Sequence, residues 1–241
     1  MMMKKYLKYT FLAIGLLLLA VLAGFYVWTQ QTYEPSAKLV ELVDEVKADD
    51  GWVVYEPEGT SKAGIVLYPG AKVEPEAYAY LAQQWSEAGY IVGIPHMPLN
   101  LAFTGVGKAE EMMKRYPSVE KWYVGGHSLG GVAAASFAHD NLDEVDGLFF
   151  LGSYPGGGDD FSKKDLPVLS IFAENDGLTS SENIEESKAL LPDDAVFYEI
   201  DGGNHAQFGM YGPQKGDNKA ELPVKEQQDQ IVDAFVTWAR P

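Results

Sequence analysis

An α/β fold, with a mostly parallel sheet covered by helices on both faces, is predicted by two features of the 241-residue chain. Short runs such as 64–68 (GIVLY), 147–151 (GLFFL) and 168–172 (VLSIF) are almost wholly apolar, which suits strands buried on both sides, and helix-like segments separate them. At 124–131 (VGGHSLGG) one such run meets a small-residue helix through the pattern Gly126-His127-Ser128-Leu129-Gly130. That is the sequence form of a nucleophile elbow, in which a sharp strand-to-helix turn lifts a serine hydroxyl clear of its backbone.

The elements follow in order. Residues 11–28 (FLAIGLLLLAVLAGFYVW) carry no charge and span roughly 27 Å as a helix, close to the thickness of a bilayer's hydrocarbon. Lys4, Lys5 and Lys8 precede this run and the glutamates follow it, predicting a cytoplasmic 1–10, a single membrane pass and an external domain at the cell membrane. Tyr26, Trp28 and Tyr33 suit the outer interface. Cleavage as a signal peptide after Ala23 is the alternative, but the run exceeds the usual length of a signal's apolar region and Val21-Leu22-Ala23 is a poor cleavage site. A buried core helix is disfavoured because no polar periodicity interrupts the run.

Residues 29–50 read as a connection, with a helix over 37–48 on the spacing of Leu39, Val40, Leu42, Val43 and Val46. Strands are predicted at 52–55 and 64–68, a helix over 75–88 ending at Gly89, a strand at 90–94 and a helix over 106–116. The strand 122–125 enters the elbow, whose helix covers 132–138. Strands at 147–151, 168–172 and 196–200 then alternate with a helix over 181–191, and an amphipathic helix over 224–240 closes the chain.

Composition excludes several classes. With no cysteine there is no thiol nucleophile, disulfide framework or thiolate metal site. The histidines His96, His127, His139 and His205 lack metal-ligand spacing, so neither a metal nor another cofactor is expected. The formal charge is −17, and beyond the apolar run the chain carries about −20, which repels phosphate backbones and makes nucleic acid an unsuitable partner.

In open α/β sheets, reacting groups gather beyond the carboxyl ends of the strands. Asp176 stands there after 168–172, and His205 after 196–200; Glu174 and Asp201 are rival acids. Asp201 lies only four residues before His205, so the loop would have to double back. His127, next to the serine at a strand's end, points away from it and suits a packing or hydrogen-bonding role. His96 suits packing, and His139 has no assigned role.

Over 52–240 the chain resembles the alpha/beta-hydrolase superfamily. Tyr68-Pro69-Gly70-Ala71, Gly126-His127-Ser128-Leu129-Gly130, Ala173-Glu174-Asn175-Asp176-Gly177 and Gly202-Gly203-Asn204-His205 carry the resemblance, with serine, acid and histidine in the family's order. It implies a hydrolase domain over 51–241 in which Ser128 attacks, His205 moves the proton and Asp176 orients His205. The implied oxyanion donors are the N–H groups of Leu129 and Ala71, although Pro69-Gly70 stands where many relatives have His-Gly. Only 152–167 lies where relatives insert a lid, too short for a helical cap, so an open pocket is expected, walled by Met97, Leu99, Leu101, Phe103 and Tyr154. The resemblance thus implies a small-molecule or lipid ester substrate, cleaved through an acyl-enzyme. Acyl transfer on the same three residues, or a silent hydrolase fold used as an interaction module, are the alternatives.

Overall fold

A computed structural model describes residues 2–61 and 63–239. Eight strands form one sheet in the order β1-β2-β4-β3-β5-β6-β7-β8. They are β1 (Ala48–Asp49), β2 (Trp52–Tyr55), β3 (Ala63–Tyr68), β4 (Tyr90–Pro95), β5 (Trp122–His127), β6 (Gly147–Leu151), β7 (Val168–Ala173) and β8 (Val196–Ile200). The pairings β1·β2 and β2·β4 are antiparallel and all the others parallel.

The continuous apolar runs are explained by two cores, one on each face. Successive side chains on a strand point to opposite faces, so Ile65 and Leu67 enter one core while Val66 and Tyr68 enter the other. Likewise Phe149 and Leu151 oppose Leu148 and Phe150. The first core is closed by α2 (Ala37–Leu42), α3 (Ala79–Glu87) and α7 (Val224–Trp238), through Leu39, Trp85, Ile231 and Phe235. The second is closed by α4 (Lys108–Arg115) and α5 (Leu129–Asp140), through Ala109, Met112, Ala134 and Phe137. The short α6 (Ser181–Ser187) begins at a capping box made by Ser180 and Asn183.

Four expected helices need correction. The helix expected over 37–48 stops at Leu42, and Val43 turns extended. The chain then enters β1, a hairpin with β2 whose tip is Asp50-Gly51, both with positive φ (43° and 78°). Asp-Gly is the sequence of a tight hairpin turn, and that local preference overrides the helical spacing of Val46. The helices expected over 75–88 and 181–191 each split into an α-helix and a 3-10 turn, Pro75–Tyr78 and Lys188–Leu190. The last helix runs to Trp238; Arg240 lies outside the described residues.

N-terminal to all this, α1 (Met2–Thr29) contains a stretch, Tyr9–Thr29, that is long and apolar enough to cross a membrane and makes no buried contact with the domain along its apolar length. Its last residue, Thr29, is fully buried against the domain. Between β6 and β7 the chain forms only turns, with no lid helix.

Candidate active site

Ser128 follows β5 and caps α5 with φ 52° and ψ −124°, a backbone conformation costly for any residue with a Cβ. The neighbourhood holds it there. Its N–H donates to Leu151 O (3.1 Å), while its carbonyl accepts from Gly131 N (3.0 Å) and from the Ser153 hydroxyl (2.6 Å). A Cβ on Gly126 would collide with the backbone of Gly130 and Gly131, and one on Gly130 with the carbonyls of Tyr68 and Pro69, so both positions require glycine.

Asp176 follows β7 and His205 follows β8, and the pairing of these strands brings the two side chains together. His205 Nδ1 lies 2.8 Å from Asp176 Oδ2, with both side chains wholly shielded from solvent. Asp176 Oδ1 accepts from the N–H groups of Leu178 (2.8 Å) and Thr179 (2.6 Å). An ionised carboxylate only accepts, so Nδ1 carries a proton, and in the neutral imidazole Nε2 is then the nitrogen with the lone pair. That Nε2 is buried without a hydrogen-bond partner, so the Ser128–His205 bond is not formed here. Such bonds commonly close only when substrate is bound. Neither rival acid reaches His205. Asp201 is exposed, and Glu174 accepts instead from Gly202 N (2.8 Å).

Two supporting residues escaped the sequence reading. Asp217, in the excursion after His205, accepts from the N–H groups of Gly177 (3.0 Å), His205 (3.3 Å), Ala206 (2.8 Å) and Asn218 (2.9 Å). One carboxylate thus ties the acid loop to the histidine loop. Tyr78 is the second. Its hydroxyl accepts from Gly70 N (2.9 Å) and sits 2.8 Å from Nδ1 of His127. With Gly70 N–H accepted, its own proton is available to Nδ1 of His127, and a neutral His127 with Nδ1 unprotonated receives it. His127 is wholly buried, and desolvation, with the nearby His205 ring adding to it (4.6 Å between centroids), holds its pKa well below the usual imidazole value. Burial likewise raises the Tyr78 pKa. Because Gly70 N–H is engaged, Ala71 is the next residue on that loop with a free N–H; neither Ala71 nor Leu129 donates its N–H to another protein group among the described residues.

The expected pocket wall divides. Met97 packs into the second core, and Leu101 is also buried. Leu99 and Phe103 are exposed, and Tyr154 is half-buried. A cavity of about 540 Å³ instead lies beside the histidine loop, lined by Ala206, Gln207, Met210 and Asp217 among others. His96 pairs with Glu76 (3.0 Å), and His139 packs edge-on against Phe161. Among the described residues no cluster of three His, Asp or Glu side chains is placed to hold a metal ion.

The fold has many solved relatives at low identity. An alpha/beta hydrolase enzyme from the metagenome of lagoon sediments at Mar Chica, Morocco, is 22% identical, with a TM-score of 0.60 over 80% of this chain and 98% of that one. Dienelactone hydrolase from Anabaena variabilis is 16% identical, TM-score 0.60, covering 78% and 92%. Thermogutta terrifontis esterase 2, in a form phosphoramylated by tabun, is 12% identical, TM-score 0.57, covering 79% and 91%. No protein of curated function matches the sequence significantly. The model of the alpha/beta hydrolase family matches residues 64–229, more than half of the sequence, and the chain belongs to that family.

Proposed function

We propose that the protein is a serine hydrolase, held at the cell membrane by α1 with its domain outside, that cleaves a carboxylic ester through an acyl-enzyme. The observation that carries this reading is the solvent-shielded Asp176–His205 hydrogen bond at the ends of adjacent strands, and a serine held at φ 52° in the turn after β5 supports it. Ser128 Oγ attacks the ester carbonyl as His205 Nε2 takes its proton, and the N–H groups of Leu129 and Ala71 receive the developing oxyanion. The tetrahedral adduct expels the alcohol, which leaves with the proton from His205. Water, deprotonated by the same nitrogen, then releases the carboxylic acid and frees Ser128. Asp176 holds the imidazole in the tautomer that both steps need.

A fluorophosphonate probe, which phosphonylates activated serines, tests this directly. Wild-type protein is expected to label and Ser128→Ala to remain unlabelled while folded, with kcat for an ester falling about 10⁴- to 10⁶-fold. A variant that keeps a tenth of wild-type turnover removes Ser128 from the mechanism.

A further inference from the structure

The end of the apolar helix is built into the loop that carries Ala71. Asn100 Nδ2 donates to the carbonyl of Thr29, the last residue of α1 (3.0 Å), while Asn100 O accepts from Lys72 N (2.7 Å). Just past the helix, Tyr33 N donates to Lys72 O (2.7 Å) and Tyr33 O accepts from Glu74 N (3.1 Å). Both polar groups of Lys72 are therefore held by residues tied to the end of the helix. The Lys72 ammonium lies 4.5 Å above the Trp28 ring, and the Thr32 hydroxyl bonds to Glu74 (2.7 Å). Three residues at this junction other than glycine have positive φ: Lys72 (60°), Leu99 (53°) and Asn100 (54°). Strain of this kind persists only where the surroundings fix it.

The apolar span ends at Thr29, so a group bonded to Thr29 sits where hydrocarbon gives way to headgroups, a layer only roughly 6 Å deep on each side. The segment bonded there, 98–104, leaves Leu99 and Phe103 exposed, and its turn Ala102–Thr104 packs on α5, the helix that Ser128 caps. Apolar side chains, a Trp ring and an ammonium together match the chemistry of that layer. No lid helix lies between β6 and β7 to cover the site.

We propose, building on the hydrolase reading and on α1 as a membrane anchor, that the substrate is an acyl ester resident in the bilayer, reaching Ser128 from the outer leaflet past Leu99 and Phe103. An acyl lipid carries its ester carbonyl at the boundary between hydrocarbon and headgroups, the level at which the docked helix end fixes the Ala71 loop. An ester dissolved in water gains nothing from this docking, and the experiment uses that difference.

The full chain is reconstituted in vesicles of ether-linked lipid, which contain no ester of their own, beside a variant with ten Gly/Ser residues inserted between Gln31 and Thr32. Each is given 4-nitrophenyl acetate in the water phase and a fluorogenic long-chain acyl ester dissolved in the bilayer. The insertion is expected to leave acetate turnover within twofold and to lower turnover of the bilayer ester at least tenfold. Equal rates on the bilayer ester overturn the proposal. Recovery of a soluble chain beginning near Gly24 overturns it through the anchor and leaves the hydrolase reading standing. Absence of turnover of both esters in the wild type sinks the hydrolase reading, and this one with it. Should the insertion abolish acetate turnover, the same linker placed between Gln30 and Gln31 carries the comparison.

Discussion

The two walls of the site are built by different means. On the β7/β8 side, carboxylates gather backbone N–H groups: Asp176 takes those of Leu178 and Thr179, and Asp217 takes four more. On the β3/β4 side the loops are fixed by strained backbone at Lys72, Leu99 and Asn100, by one tyrosine hydroxyl and by the end of a helix. Charge-assisted hydrogen bonds fix an imidazole closely at little steric cost. These loops leave the Ala71 N–H without a protein acceptor and the side chains of Leu99 and Phe103 exposed, which suits a wall that receives substrate. In the mechanism proposed above, one wall sets the proton chemistry and the other sets where the ester comes from.

The contrast is broken most severely at Asp176. Asp176→Asn replaces an acceptor with an amide that favours the wrong imidazole tautomer, and kcat is expected to fall about 10⁴-fold, as in an analogous triad. Asp201→Asn, at an exposed side chain, is expected to change kcat less than twofold. If Asp201→Asn is the more damaging of the two in folded protein, the acid has been misassigned.

Asp217→Ala sharpens the same wall. It strips four N–H groups of their acceptor, and with charge-assisted bonds worth about 1.5–3 kcal/mol each when fully shielded, a loss of about 2 kcal/mol in stability is expected at this half-exposed side chain. Freed from the acid loop, His205 is expected to lose about 10- to 100-fold in kcat, read against unfolding midpoints in urea. A loss of stability with kcat unchanged would show that Asp217 holds the fold and not the imidazole.

The strands were legible because apolar runs serving two cores look alike at every position, and Asp176 and His205 stand where two such runs end. Helix 37–48 was misread because the spacing of Val43 and Val46 suits a helix locally, while Val43 packs into the first core in extended form and Lys47 O bonds to Val54 N. Tyr78 and Asp217 left no local signal. Each gains its role from backbone groups on other loops, although a tyrosine at the start of α3 and an aspartate in a glycine-flanked loop are places to look.

The smallest effect expected is in the pH dependence of stability, and it compares the walls through two histidines. His127 is buried, and desolvation together with His205 keeps its imidazole neutral well below the ordinary value of about 6.5. As pH falls through that value the unfolded chain takes up a proton at His127 and the native chain does not. Stability therefore declines with falling pH, by at most about 1.4 kcal/mol per pH unit for one group. His96 behaves oppositely: its hydrogen bond to Glu76 outweighs desolvation and raises its pKa, so its contribution is present below about 6.5 and is lost as pH rises through the native value. That pair is half-exposed, so its effect is small. Urea midpoints between pH 7.5 and 5.5 are expected to fall less steeply for His127→Gln than for the wild type, and slightly more steeply for His96→Gln. A wild-type slope retained in His127→Gln means that the native protein already binds a proton at His127, whose Nδ1 then donates to the Tyr78 hydroxyl while that oxygen still accepts from Gly70 N–H.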